Sequence, residues 1–315
     1  MRTLIEVKDL SVHFSRQGSD GKGTVRALDG ICFTVGESES LGVIGESGCG
    51  KTTLARVIVG LQAPTAGELL ICGKRAYAGK RYLLRKDTGA AMIFQDADSS
   101  LDPRMTVKQL LEEPMRIHRW SRSDLEARSG ELLQLVNLGP ELMGRYPHEI
   151  SGGQRQRLGM ARALALHPSI LVADEPAASL DSSIQAQLLY FLDELRREKG
   201  LGLLYISHNL RIVRRMTMRL AVMYLGHIVE LGGTEEIFGA PKHPYTRMLL
   251  SAVLKVGDDR YGKRDVFGEI PDARKMPSGC RFHERCRSCT ELCKNSEPPL
   301  REVSPGRYVR CHHVE

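Results

Sequence analysis

Residues 4–14 and 25–35 alternate apolar and polar side chains, the period-two pattern of strands buried on one face. The polar, glycine-rich stretch Gln17 to Gly23 between them predicts a hairpin loop. Leu41-Gly-Val-Ile-Gly45 predicts a short buried strand running into a glycine turn, and Lys51 to Gly60 a helix stopped by glycine. A further strand is expected over Ala91 to Phe94. From 103 to 148 the pattern turns helical, with Leu125, Leu132 and Val136 on its apolar stripe, which predicts a helical subdomain inserted into the core. Ile170 to Asp174 and Leu203 to Ile206 read as buried strands. Between them Ile184, Leu188, Leu192 and Leu195 recur at helical spacing, predicting an amphipathic helix over 182–199. Residues 219–231 predict a hairpin about Gly226. Strands alternating with helices imply a parallel sheet covered by helices. After about residue 255 the periodicity fades and Pro, Arg and Cys take over, so a separate C-terminal appendage is expected there. There is no internal repeat and no low-complexity segment.

Composition narrows the class. The 315 residues suffice for one large or two modest domains, and 42% hydrophobic with 26% charged residues is ordinary for a soluble globular chain. The longest apolar runs, such as Leu41 to Gly45 and Ile170 to Ala173, fall far short of the ~20 residues of a membrane-spanning helix. Met1 to Leu10 lacks the apolar core of a signal peptide. The expectation is a protein held in the cytosol, peripheral to any membrane. The net charge of +7 is spread along the chain without a dense basic stripe, so no nucleic-acid partner is expected. Of eight cysteines, Cys280, Cys286, Cys289, Cys293 and Cys311 fall in the last 36 residues. In a cytosolic chain such clustering points to metal or redox chemistry rather than to disulfides.

The candidate chemistry begins at Gly45-Glu46-Ser47-Gly48-Cys49-Gly50-Lys51-Thr52, followed by Thr53, which fits the P-loop pattern and lies between a strand and a helix as that pattern requires. Glycines let the backbone curl so that its N–H groups face phosphate oxygens, and the helix N-terminus adds a favourable dipole. Lys51 is then placed for the β- and γ-phosphates, and the Thr52 hydroxyl for Mg²⁺. Asp174 and Glu175 end the apolar strand 170–173, where an acidic pair is costly unless used. Beside a P-loop, Asp174 is expected to hold Mg²⁺ and Glu175 to polarise the attacking water.

Ser151-Gly152-Gly153-Gln154-Arg-Gln156 resembles the signature motif of ABC ATPases and precedes a helix expected over Arg157 to Leu166. Other positions match that family in order. Gln95 resembles the Q-loop glutamine, which serves Mg²⁺ and the attacking water and opens the helical subdomain. Ser179-Leu180-Asp181 resembles the D-loop, His208 the switch histidine at the γ-phosphate, and Phe14 the aromatic that stacks on adenine. The likeness covers roughly residues 4–255. It departs at Ala97, where many relatives have Pro, and at Ile150, where Leu is common. What the resemblance implies is an α/β fold: a P-loop NTPase core (the ABC nucleotide-binding domain) with an antiparallel β subdomain, an inserted helical subdomain near 96–167 and a small Cys-rich extension. The expected division is 1–254 and 255–315. It also implies ATP hydrolysis with Mg²⁺, and two ATP molecules sandwiched between two such domains, each site completed by the partner's signature motif.

His243-Pro-Tyr-Thr246 and Ser99-Ser-Leu-Asp-Pro-Arg-Met-Thr106 resemble segments of the dipeptide, oligopeptide and nickel importer ATPases. So does the tail, Cys280-x₅-Cys286-x₆-Cys293 with Cys311-His312. In some members of that branch these four cysteines bind a [4Fe–4S] cluster. The residues themselves leave zinc or no metal open, and Cys289 is spare. The resemblance implies an ATPase subunit of a peptide-class importer at the cytoplasmic face of the membrane. Its partners would be a second, non-identical ATPase subunit, two membrane-spanning permease subunits and, indirectly, an extracellular solute-binding protein. Import of nickel or another small solute is the alternative within this class. A soluble ABC ATPase acting on nucleic acid or the ribosome is the alternative outside it.

Overall fold

The computed structural model describes residues 2–18, 21–84, 89–95, 100–176, 182–251, 271 and 276–314, with the side chains of 16–18, 21–23 and 182–184 outside the description. The first strands, β1 (Thr3–Gly18) and β2 (Gly21–Gly36), pair antiparallel, with Val12 opposite Leu28 and Phe14 opposite Val25. Both outrun their expected spans. Gln17 pairs with Lys22 and Gly18 with Gly21, so most of the stretch expected as a loop belongs to the ladder. Ladder bonds are made by the backbone, and a polar sequence forms them as well as an apolar one. The chain then enters a second sheet as β3 (Ser40–Ile44) and leaves through helix α1 (Lys51–Ile58). It returns to the first sheet as β4 (Ala66–Ile71) and β5 (Lys74–Arg75), giving the order β2-β1-β4-β5. The short strands β6 (Tyr77–Ala78) and β7 (Arg81–Tyr82) pair with each other.

The second sheet contains β8 (Ala90–Ile93), β9 (Ile170–Asp174), β10 (Gly202–Ile206), β11 (Arg219–Tyr224), β12 (His227–Gly233), β13 (Arg301–Ser304) and β14 (Arg307–Val309). Its order is β13-β14-β12-β11-β3-β10-β9-β8, and the five strands from β11 to β8 run parallel. Parallel strands covered on both faces read as continuous apolar runs, and that is the pattern here. Leu171, Ala173, Leu203 and Tyr205 face one buried cluster. Ile170, Val172, Leu204 and Ile206 face the other, shared with α1 and the antiparallel sheet.

Between β8 and β9 lie α2 (Val107–Ile117), α3 (Arg122–Leu135) and α4 (Gly152–Ala163). Thr106 starts α2 with a capping box: its hydroxyl accepts from the Gln109 N–H at 3.3 Å, and its own N–H donates to Gln109 Oε1 at 2.8 Å. Leu110, Leu111 and Met115 of α2 share a buried cluster with Leu125, Leu132 and Leu133 of α3. Helix α4 begins at Gly152, five residues before the expected Arg157, because Ser151 and Gln154 form a second capping box. A cap outweighs the poor helix propensity of two glycines. Helix α5 (Ser182–Lys199) has its expected bounds, followed by α6 (Leu210–Met216), α7 (Thr234–Gly239), α8 (Pro244–Ser251) and α9 (Glu291–Asn295). Among the described residues no helix is long and apolar enough to cross a membrane.

The C-terminal segment does not stand apart from the core. Strand β14 extends the second sheet by pairing with β12, Glu230 opposite Val309 and Leu231 opposite Tyr308. Phe282 is 3% exposed and joins the helix-side cluster. Charge does what scarce apolar material cannot. Glu230 is fully buried, accepts from Arg307 Nη2 at 2.7 Å, and takes the N–H groups of Lys242 and His243 at 2.9 Å each. Removing one member of a buried pair leaves the other charge without compensation. Glu230→Leu is therefore expected to destabilise the protein by about 3–5 kcal/mol, read as a lower urea midpoint. A loss under about 1 kcal/mol, the worth of an exposed pair, would show that the tail is not held through this carboxylate.

Candidate active site

Strands β3, β10, β9 and β8 are aligned so that their carboxyl ends lie side by side: Val43 is level with Ile206, Ile206 with Asp174, and Ala173 with Ile93. The residues just beyond those ends must therefore meet, and in open parallel sheets that edge is where ligands bind. A cleft of about 420 Å³ lies there. Its walls include Gly45, Ser47, Gly48 and Gly50 to Thr53 after β3, Gln95 after β8, Asp174 and Glu175 at the end of β9, and His208 after β10. Four separate segments of the chain thus supply one site.

The loop 45–50 owes its curl to two glycines. Gly50 has φ +109°, and a β-carbon there would stand 2.2 Å from the Ala27 carbonyl oxygen. One at Gly45 would stand 2.2 Å from the Met223 carbonyl oxygen. Only glycine fits either position. Gly50 is also the N-cap of α1 and no side chain caps that helix, which leaves its first-turn amides to an anion. Lys51 Nζ donates to the carbonyls of Gly45 at 2.7 Å and Glu46 at 2.9 Å, which holds the ammonium across the loop.

Asp174 is 4% exposed. Burial pushes its carboxyl above the usual carboxylate range, and a hydrogen bond from the Thr52 side chain pulls the other way. Glu175 has φ 48° although it is not glycine, a strained conformation of the kind stored at functional sites. Its N–H donates to the Ile206 carbonyl at 2.9 Å, which ties the bend to β10. The carboxylate meets His208, Nδ1 to Oε1, at 2.9 Å.

Other expected site residues lie elsewhere. Glu46 and Cys49 belong to the loop, but their side chains turn from the cleft: Glu46 pairs with Arg285, and Cys49 is buried in the core. The half-exposed ring of Phe14 lines a neighbouring cleft with Ser15 and Tyr77, while its cross-strand partner Val25 reaches the phosphate cleft. None of Ser151, Gly152, Gly153 and Gln154 lines the cleft; Ser151 and Gly152 are exposed at the start of α4. Asp181, with Ser179 and Leu180, lies outside the described residues, as do Ala97 and Ser99. The cleft also has walls that no motif announced: Arg26 and Ala27 from β2, Leu225 from the β11–β12 turn, and Met276 from the C-terminal segment.

In that segment the cysteines are free thiols. Burial, and then the neighbouring thiols, push Cys280 and Cys286 up to about 11. The neighbouring thiols that raise Cys280 are Cys293, Cys286 and Cys311. Cys293 Sγ lies 3.3 Å from His313 Nε2, and Cys311 Sγ accepts from the His313 N–H at 3.4 Å. Among the described residues no three His, Cys, Asp or Glu side chains are grouped to hold a metal ion, so the expected cluster or zinc ligands do not form a ready-made ion site.

Comparison with known proteins places this geometry. Residues 28–178 match the ABC transporter family, and residues 229–293 match the oligopeptide/dipeptide transporter C-terminal region. The oligopeptide transport ATP-binding protein AppF of Bacillus subtilis (strain 168) is 41% identical over 319 residues, spanning 98% of this chain and 97% of its own length. The oligopeptide transport ATP-binding protein OppF of Escherichia coli (strain K12) is 43% identical, spanning 100% and 97%. The di/tripeptide transport ATP-binding protein DppF of Pseudomonas aeruginosa (strain UCBPP-PA14) is 42% identical, spanning 100% and 99%. Among solved structures, the ATP-binding cassette MJ0796, in a dimeric post-hydrolysis state bound to ADP and Pi, superposes with a TM-score of 0.65 at 25% identity over 73% of this chain and 99% of that one. The chain belongs to the ATP-binding proteins of the ABC transporter family, in the branch that carries the oligopeptide/dipeptide C-terminal region.

Proposed function

We propose that this ABC ATPase is the ATP-hydrolysing subunit of a peptide importer of the oligopeptide/dipeptide class. The observation that carries the catalytic half is the meeting of Lys51, Gln95, Asp174, Glu175 and His208 in one cleft at the strand ends. The peptide half rests on the transport named for AppF, OppF and DppF, and on the matched C-terminal region.

The roles follow from chemistry. The loop amides and Lys51 take the β- and γ-phosphates of ATP. The adenine lies toward Phe14 and β2. Thr52, Asp174 and Gln95 offer a hydroxyl, a carboxylate and an amide oxygen, the hard donors that suit Mg²⁺; an ion held there would offset the charge of the phosphates. Glu175 takes the proton of the attacking water, and His208 steadies Glu175 and the γ-phosphate end. Ser151 to Gln154, away from the chain's own cleft, serve a second ATPase subunit's nucleotide in trans, with Asp181 beside that junction. The partner is a non-identical paralogue. The helices between β8 and β9, in the division 96–167 of a 1–254 ATPase domain, pass the motion to two membrane-spanning permeases. The protein works at the cytoplasmic face of the membrane, supplied indirectly by an extracellular solute-binding protein, with no nucleic acid involved.

Removing the base should separate binding from turnover. Glu175→Gln is expected to keep ATP binding, to lower the hydrolysis rate at least about 100-fold, and to accumulate an ATP-bound dimer on size-exclusion chromatography. Turnover near the wild-type rate would exclude Glu175 as the base.

A second reading concerns the tail at 255–315, where Cys293 and Cys311 both reach His313 and the Cys280 N–H donates to the Cys293 carbonyl at 2.7 Å. Cys280, Cys286, Cys293 and Cys311 would supply four thiolates to a [4Fe–4S] cluster, or to zinc in its place. Protein purified without oxygen is expected to carry about four irons and four sulfides per chain, lost in Cys286→Ser. Stoichiometric zinc would select the other metal, and neither element would remove the metal altogether.

A further inference from the structure

Two arginines of the C-terminal segment are buried yet have no part in the chemistry above: Arg281 is 5% exposed and Arg285 6%. Arginine is seldom so enclosed unless paired. Arg285 directs both terminal nitrogens at Glu46, Nη1 to Oε2 at 2.7 Å and Nη2 to Oε1 at 2.9 Å. This is the two-bond fork that fixes geometry as well as charge. The guanidinium also lies 5.7 Å from the ring centre of Tyr224 and 5.8 Å from that of Phe282, and Nη1 reaches the Tyr224 hydroxyl at 3.4 Å. Tyr224, Tyr245 and Phe282 pack together with ring centres 4.6–5.5 Å apart, so the wall behind Arg285 is rigid.

Glu46 is the second residue of the phosphate loop and is held at three points. Its carboxylate takes the fork, its N–H donates to the Tyr245 hydroxyl at 2.9 Å, and its carbonyl accepts from Lys51 Nζ at 2.9 Å. Only the third contact faces the cleft. Arg281 reaches the loop indirectly, through the β11–β12 turn. It donates to Asp29 and to the Leu225 carbonyl, and the next residue, Gly226, donates its N–H to the Cys49 carbonyl at 3.0 Å. Met276, from the same segment, stands in the cleft wall.

We propose that Arg285 is a positioning residue for the phosphate loop: by clamping Glu46 it holds the loop in the shape that receives polyphosphate, so ATP affinity depends on the C-terminal segment. The inference rests on the reading of the cleft as an ATP site. A loop ordered before the ligand arrives spares the ligand that ordering cost, and the gain appears as affinity. A strut that merely held the tail would affect melting but not nucleotide binding.

The test uses the full chain, a trinitrophenyl-labelled ATP with Mg²⁺ as the binding probe, and steady-state ATP hydrolysis. Arg285→Met is expected to raise the Kd about tenfold, equivalent to about 1.4 kcal/mol, with the kinetic loss falling on KM more than on kcat. Arg285→Lys keeps the charge but loses the fork and should raise the Kd about threefold, an intermediate rescue. The double variant Glu46→Gln with Arg285→Met should bind no more weakly than Arg285→Met alone, because the two act as one unit. Wild-type Kd in Arg285→Met, with a lowered nucleotide-free melting temperature, would make Arg285 a strut and overturn the proposal. If Arg285→Met does not fold, a wild-type Kd in Arg285→Lys overturns it equally. Failure of the wild-type protein to bind the probe would instead sink the ATP reading of the cleft, and this proposal with it.

Discussion

The phosphate loop exists because two backbone carbonyls press on it where no β-carbon intrudes. Ala27 of β2 abuts Gly50, and Met223 of β11 abuts Gly45. One contact comes from the antiparallel sheet and the other from the parallel sheet, so the loop is where the two sheets lock together. The buried apolar cluster between them, with Leu28, Val43 and Leu204, sets how near they come. That spacing decides whether the loop can close around a phosphate. The order of causes runs from core packing to sheet spacing, from sheet spacing to loop shape, and from loop shape to chemistry.

The cleft's side chains, drawn from far-apart segments, then need little further arrangement. Parallel strands in register bring Gly45, Gln95, Asp174 and His208 to one edge, because each lies at or just beyond the end of a strand there. Glu175 is the exception, and its left-handed backbone turns the carboxylate onto His208. The strain is confined to one residue and anchored by a hydrogen bond to Ile206.

Much of this was legible in the sequence because it is local. The strand ahead of Gly45, the glycine spacing, the acidic pair at the tip of an apolar run and the helix 182–199 each depend on residues a few positions apart. What stayed hidden depends on contacts across the chain. Nothing near Glu46 or Cys49 announces that both side chains turn away from the cleft, since one answers to Arg285 and the other to the core. The early start of α4 is written in Ser151 with Gln154 three residues on, a cap that outweighs the low helix propensity of glycine. The tail looked separate because its apolar content is thin. Its attachment runs through buried charge, Glu230 with Arg307 and Glu46 with Arg285, and charged pairs leave no periodic trace.

Arg285 follows Glu46 by 239 residues. Synthesis runs from the N-terminus, so the phosphate loop is made well before its brace. A chain broken off before residue 281 would already contain Lys51, Asp174, Glu175 and His208 yet lack both bracing arginines and the strand that closes the sheet edge. On the role proposed for Arg285, tight nucleotide binding waits for a segment 239 residues downstream of the loop. A fragment that stops short of Arg285 would then compete weakly for ATP, although its own Lys51 and Glu175 are already made.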